Sequence, residues 1–336
     1  MVVNTAIVAL VIASAVAMVM LAYSAAFGWR LVRHWDLASG SELQVSLERH
    51  TYLISTLVAF VLASEAASLL LFVHNADRMA PLFVGAMCAV GTLNTSAYGF
   101  PALLLKILVF FMASVWLILH HLDTRGYDYP LTRLKYRLLL AILPFVLVEA
   151  YLQLRFFLAL DTDVITSCCG RLFGAGRDDV AAELAGLPPA PSLVAFYGVM
   201  TVTLAAGLAT QRWPRLTYLY ALLTALTFAV SLLAIVSFVS LYVYEHPHHH
   251  CPFCLLKAEY GYQGYLLYGP LFAATALGLG AGAVRAFAGV ESVREVVPGL
   301  ARRLTNISLG LLFFFTLWVT YLVAGSNLVL LGNEGG

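Results

Sequence analysis

Residues 217–243 read TYLYALLTALTFAVSLLAIVSFVSLYV, and residues 244–262 continue as YEHPHHHCPFCLLKAEYGY. The first segment runs for 27 residues without a charge or a histidine. A helix crossing the hydrocarbon core of a bilayer needs roughly 20 apolar residues, so this run predicts a membrane span. The second segment ends that pattern abruptly. It places His246, His248, His249, His250, Cys251 and Cys254 within nine residues. A span that opens into a Cys/His loop is the pattern against which the rest of the chain is read.

The rest of the chain repeats the first half of that pattern. Of 336 residues, 61% are hydrophobic and 11% charged, and the mean hydropathy is +0.87. Soluble domains carry about a quarter charged residues, so the composition describes an integral membrane protein. The net charge is +1 and the basic residues are scattered over loops, which gives nucleic acid no surface to bind. The N-terminal MVVNTAIVAL lacks the basic region of a signal peptide, so the first apolar run is expected to be a retained helix. Runs long enough to span fall at 4–28, 51–73, 101–119, 138–160, 192–210, 217–243, 262–284 and 304–330. The stretch 80–99, APLFVGAMCAVGTLNTSAYG, begins apolar but is interrupted by Gly, Asn and Ser. It reads as a re-entrant or interfacial segment. The expected fold is therefore one all-α polytopic domain over 1–336 with eight transmembrane helices. Pro144 and Pro270 are expected to kink the spans that hold them. Residues 174–191 carry a short helical pattern closed by prolines. No inverted repeat is visible by eye.

Orientation follows from the distribution of Lys and Arg, which gather on the cytoplasmic side of spans. One set of loops holds 13 of them: Arg30, Arg33, Arg49, Arg125, Arg133, Lys135, Arg137, Arg212, Arg215, Arg285, Arg294, Arg302 and Arg303. The other set holds 4: Arg78, Arg171, Arg177 and Lys257, while Lys106 and Arg155 fall inside spans. Both termini and the loops 74–100, 161–191 and 244–261 are thus expected outside. All five cysteines lie in those three loops: Cys88, then Cys168 and Cys169, then Cys251 and Cys254. The exterior of a bacterial inner membrane is oxidising, so cysteines there are expected to be disulfide-bonded, metal-bound or redox-active. The expected location is that membrane, with the site facing the periplasm or exterior.

Three chemistries compete for these loops. The first is thiol–disulfide exchange. CPFC is expected at or just before the start of the seventh helix, where the helix dipole favours a thiolate on Cys251. Cys251 would attack and Cys254 resolve. The vicinal Cys168–Cys169 pair closes a strained ring, making it a good exchange partner and a poor staple. Two dithiol loops on one face resemble, in logic, the quinone-linked membrane oxidoreductases of the disulfide-bond-forming and vitamin-K-epoxide-reductase types. Those proteins have about half as many spans, and no family motif is matched along the chain. By that resemblance a quinone is the expected electron partner and an extracytoplasmic dithiol protein the substrate. The second chemistry is Cu or Zn binding, with a metallochaperone as partner. Cys88, Cys168, Cys169, Cys251, Cys254, His248, His249 and His250 supply N and S ligands, with Met79, Met87 and His74 close in sequence. The third is purely structural: two disulfides and a solvated histidine loop on a non-catalytic subunit of a larger assembly.

Charged residues inside a bilayer are costly and are usually paired or functional. Glu65 and Lys106 lie roughly 8–12 Å from the outer ends of their spans, counting about 1.5 Å per residue, and are expected to pair. Glu149 and Gln153 share a face one turn apart. These four are the expected quinone-binding residues. His120 and His121 sit at an inner interface and read as solvated. No histidine falls near mid-membrane, so no haem is expected. The tyrosines of 259–268, EYGYQGYLLY, read as an interfacial aromatic belt.

Overall fold

The computed structural model describes residues 5–36, 39–161, 166 and 189–328. Every regular element among them is helical. In chain order they are α1 (Thr5–His34), α2 (Glu42–Met79), α3 (Ala89–Leu93), α4 (Gly99–Asp123), α5 (Thr132–Leu158), α6 (Pro189–Ala209), α7 (Thr217–Ala234), α8 (Ser240–Tyr244), α9 (Gln263–Arg285) and α10 (Val296–Gly325). A five-residue π-helical turn, Ile235–Val239, joins α7 to α8 without a break. Eight helices are long and apolar enough to cross a membrane, α7 and α8 counting as one. The described residues therefore form an all-helical protein with eight candidate spans. Cys168, Cys169 and the pattern at 174–188 lie outside the described residues.

Helix α2 departs most from expectation. Its 38 residues reach about 57 Å at 1.5 Å per residue, against a hydrocarbon core of about 30 Å. The apolar run begins only at 51, because Glu42, Glu48 and Arg49 precede it. The helix starts earlier because Ser41 caps it, its side chain accepting the Gln44 N–H, and because Gln44, Leu47 and Thr51 bury one common face. Segment 80–99 holds only the 3-10 turn Ala80–Leu82 and α3 before α4 begins, with no helix long enough to span. Lys135, expected in a loop, lies in the first turn of α5. It is buried there, with its Nζ 2.6 Å from Asp123 Oδ2.

The spans pack as two groups of four. Helices α1, α2, α4 and α5 contact one another extensively, as do α6, α7, α9 and α10. The chief helix contact between the groups is α4 against α9. Gly280 of α9 permits it, since a Cβ there would lie 2.3 Å from Ile118 Cδ1 of α4. Further along the same seam, Phe110 and Phe111 of α4 meet Phe228 of α7 and Phe272 of α9, with ring centroids 4.9–5.7 Å apart. Close approach through small residues and aromatic packing is what holds helices together in lipid, where water supplies no drive. The two groups meet a second time at the loops of one end, through the cysteines.

Candidate functional site

Cys88 comes from the first helix group and Cys251 and Cys254 from the second. Their three Sγ atoms lie within 4.8 Å of one another, and Cys88 Sγ is 3.2 Å from Cys251 Sγ. No disulfide joins them to one another, and all three are buried. Val90, Phe100, Tyr244, Phe253 and Tyr260 pack around them.

Each loop is fixed by its own devices. Cys88 precedes α3 in extended backbone, and Asp77 Oδ1 accepts the next N–H, that of Ala89, at 3.1 Å. Glu245 ends α8 in the left-handed conformation, and its carboxylate accepts from Asn327 N and Nδ2 at 2.9 Å each. Two tyrosine hydroxyls then clamp the CPFC backbone. Tyr244 donates to Cys251 O at 2.5 Å and Tyr268 donates to Pro252 O at 2.8 Å. Lys257 ties the loops together by donating to Met87 O, with its Nζ 4.0 Å from Asp77. Phe253, between the two cysteines, packs into the core formed by α2, α4 and α5.

The CPFC turn is not at a long helix N-terminus. Cys254 opens a three-residue 3-10 turn, and α9 begins only at Gln263. The expected dipole activation of Cys251 therefore has no structural source. Its thiol is instead pushed up from the ordinary cysteine range, first by its hydrogen bond with Cys254 and then by burial, while the Cys88 contact opposes the rise. The resting form is thus protonated at Cys251.

The histidines do not join the sulfurs. His246 and His248 are exposed and face each other with centroids 6.1 Å apart. His249 stacks on Tyr244 at 4.1 Å, and burial lowers its pKa. His250 turns back, its Nδ1 lying 2.9 Å from Val236 O. His74 and Met87 are exposed, whereas Met79 is buried in the α2 core. Cys168 and Cys169 lie outside the described residues. Thr166, two residues ahead of them, is buried: its N–H donates to Val84 O and its hydroxyl to Gly91 O, both at 3.0 Å. The chain leading to the vicinal pair is therefore anchored on the same loop that carries Cys88.

Beneath the cysteines, the intramembrane residues pair differently from expectation. Lys106 forms its ion pair with Glu149 of α5, Nζ to Oε1 2.7 Å, not with Glu65. It reaches Glu65 only through Ser68, to whose Oγ it donates at 3.0 Å. Gln153 donates to Ser14 Oγ of α1 at 2.8 Å. Sequence reading missed Ser14 and Ser68 because single serines in apolar runs are ordinary. It also read Tyr268 as belt, although tyrosines on both flanks of a Cys loop were the available signal.

A S₃ donor set suits Cu⁺ in trigonal geometry, or Zn²⁺ with one further ligand. Zn–S bonds of about 2.3 Å imply sulfur separations of about 3.8 Å. Bringing the three sulfurs to that spacing asks only for small shifts in two adjacent loops. The chain matches no family model, no curated protein and no solved structure.

Proposed function

We propose that the protein is a membrane-embedded metal-handling protein whose soft-metal centre is Cys88, Cys251 and Cys254, taking Cu⁺ or Zn²⁺ at the extracytoplasmic face. The observation that supports this reading is the convergence of three buried cysteine sulfurs from two separate loops, with no imidazole or carboxylate grouped with them among the described residues. An attacking thiol of an exchange enzyme must be accessible and largely ionised; a structural or transfer site for a soft ion need be neither before loading. The exposed His246 and His248 would then be outer ligands through which an ion arrives from a metallochaperone. Metal analysis of anaerobically purified protein tests the reading. About one Cu or Zn per chain is expected, falling in each of Cys88→Ser, Cys251→Ser and Cys254→Ser. Substoichiometric metal in the wild type, unchanged on reconstitution, contradicts it.

A second reading keeps thiol–disulfide exchange, favoured by the 3.2 Å approach of Cys88 to Cys251. Loss of two electrons and two protons would join two of the three sulfurs and leave the third to attack that disulfide. A quinone-class acceptor, or the Cys168–Cys169 disulfide, would take the electrons. Thiol trapping separates the two: alkylation of Cys88 and Cys251 that responds to a soluble quinone supports exchange, and alkylation blocked by Cu⁺ or Zn²⁺ supports metal.

A further inference from the structure

Glu65, Ser68, Lys106 and Glu149 fill one buried place where α2, α4 and α5 meet. Glu65 is 6% exposed, Lys106 3% and Glu149 0%. The groups carry two carboxylates against one ammonium. Lys106 stands 2.7 Å from Glu149 Oε1, so that carboxylate is the one the ammonium neutralises. Ser68 donates its hydroxyl to Glu65 O at 2.8 Å. Its Oγ also lies 3.4 Å from Glu65 Oε2. With one proton shared between two acceptors, that hydroxyl gives the Glu65 carboxylate at most a long hydrogen bond and no counter-charge.

No other charge among the described residues of these helices offsets the excess. Helix α1 brings only Ser14, and it carries no charged residue before Arg30. Helix α4 has Lys106 as its sole charge from Gly99 to Leu119. On α5, Gln153 is neutral and Arg155 is exposed, its guanidinium donating to Tyr98 and Tyr151. Helix α2 itself has no other charge between Thr51 and Val73. Glu149 Oε2 and Gln153 Oε1 are buried without a hydrogen-bond partner among the described residues, so the place is rich in acceptors and short of hydrogen. A buried carboxylate without a counter-charge takes up a proton rather than remain ionised in a low-dielectric interior.

We propose that Glu65 holds a proton inside the membrane, making Glu65, Lys106 and Glu149 a charge-neutral proton-binding site. The inference does not depend on what the cysteines do. Losing that proton would leave one negative charge unbalanced in lipid. Release therefore requires a replacement cation or a rearrangement that admits water, which is the charge logic of a proton-exchange step.

Infrared spectroscopy of the full chain in lipid nanodiscs at neutral pH, in H₂O and in D₂O, tests this. The wild type is expected to show a protonated carboxyl C=O band that shifts in D₂O. Glu65→Gln should lose the band while keeping the thermal midpoint, because the amide replaces a neutral acid. Glu149→Gln should lose the band too, because Lys106 is then free to neutralise Glu65. Absence of any carboxyl band removed by Glu65→Gln overturns the proposal. So does a band that appears only when Na⁺ is withdrawn, since the neutralising ion would then be sodium and not a proton.

Discussion

Cys251 is 0% exposed and its thiol is held protonated, so its reactivity depends on what displaces that proton. A metal ion must do so, because only thiolates ligate. Each thiol that binds releases a proton, so affinity should rise with pH and fall as pH drops. Competition titrations at two pH values measure this: at least tenfold tighter binding per pH unit is expected for one released proton, and pH-independent affinity would exclude thiol ligation. Lys106 supplies a stability counterpart. Replacing Glu149 by Ala and Glu65 by Gln together leaves the buried ammonium without a carboxylate, and breaking such a pair costs about 3–5 kcal/mol. Chemical denaturation in detergent should show a loss of that order, and a change under 1 kcal/mol would mean that water already reaches Lys106. The CxxC spacing made Cys251 and Cys254 legible as a pair. Cys88 was legible only as a neighbouring soft donor, since nothing local in MCAV tells which distant loop it meets. The run of histidines misled in the other direction. Residue type marks ligand capacity, but burial decides use, and His248 points to solvent.

At the scale of elements, long apolar runs announced themselves because a span must satisfy all its backbone polar groups internally and so leaves a long uniform signature. Short elements left no such trace. The start of α9 at Gln263 rather than at CPFC is set by Glu245 and Tyr262 in left-handed backbone, together with Gly261, which fold residues 245–262 into a compact loop. Hydropathy does not encode those angles. The loop bearing Cys88 depends on a similar device. Gly85 has φ +86°, and a Cβ there would sit 2.0 Å from Thr166 O. Gly85→Ala should therefore cost roughly 1–2 kcal/mol in backbone strain alone, and it should release the segment anchored by Thr166. Alkylation of Cys88 should accelerate in that variant. An unchanged rate would show that Thr166 does not hold this loop in place.

For the molecule as a whole, the sulfur cluster is a second place of contact between two helix groups otherwise joined mainly along α4 and α9. An ion held by Cys88 on one side and by Cys251 and Cys254 on the other would fasten the groups at one end. Ligand binding to the folded state alone stabilises by about 2.7 kcal/mol at a free concentration of 100 times Kd. Cu⁺ or Zn²⁺ should accordingly raise the thermal midpoint of the wild type by more than that of Cys88→Ser, as read by scanning fluorimetry. Equal shifts in both would place the ion elsewhere. The opposite end has its own fixed point, Lys135 with Asp123 and His120, beside a cavity of about 470 Å³ lined in part by Trp35, Tyr52 and Tyr127.

X-ray absorption at the metal edge, on protein loaded with one equivalent of Cu⁺ or Zn²⁺, reads the coordination shell directly. Three sulfurs at about 2.3 Å are expected, with one fewer in each single Cys→Ser variant. A shell dominated by nitrogen and oxygen, unaltered by Cys88→Ser, would mean that the three thiols do not form the metal centre.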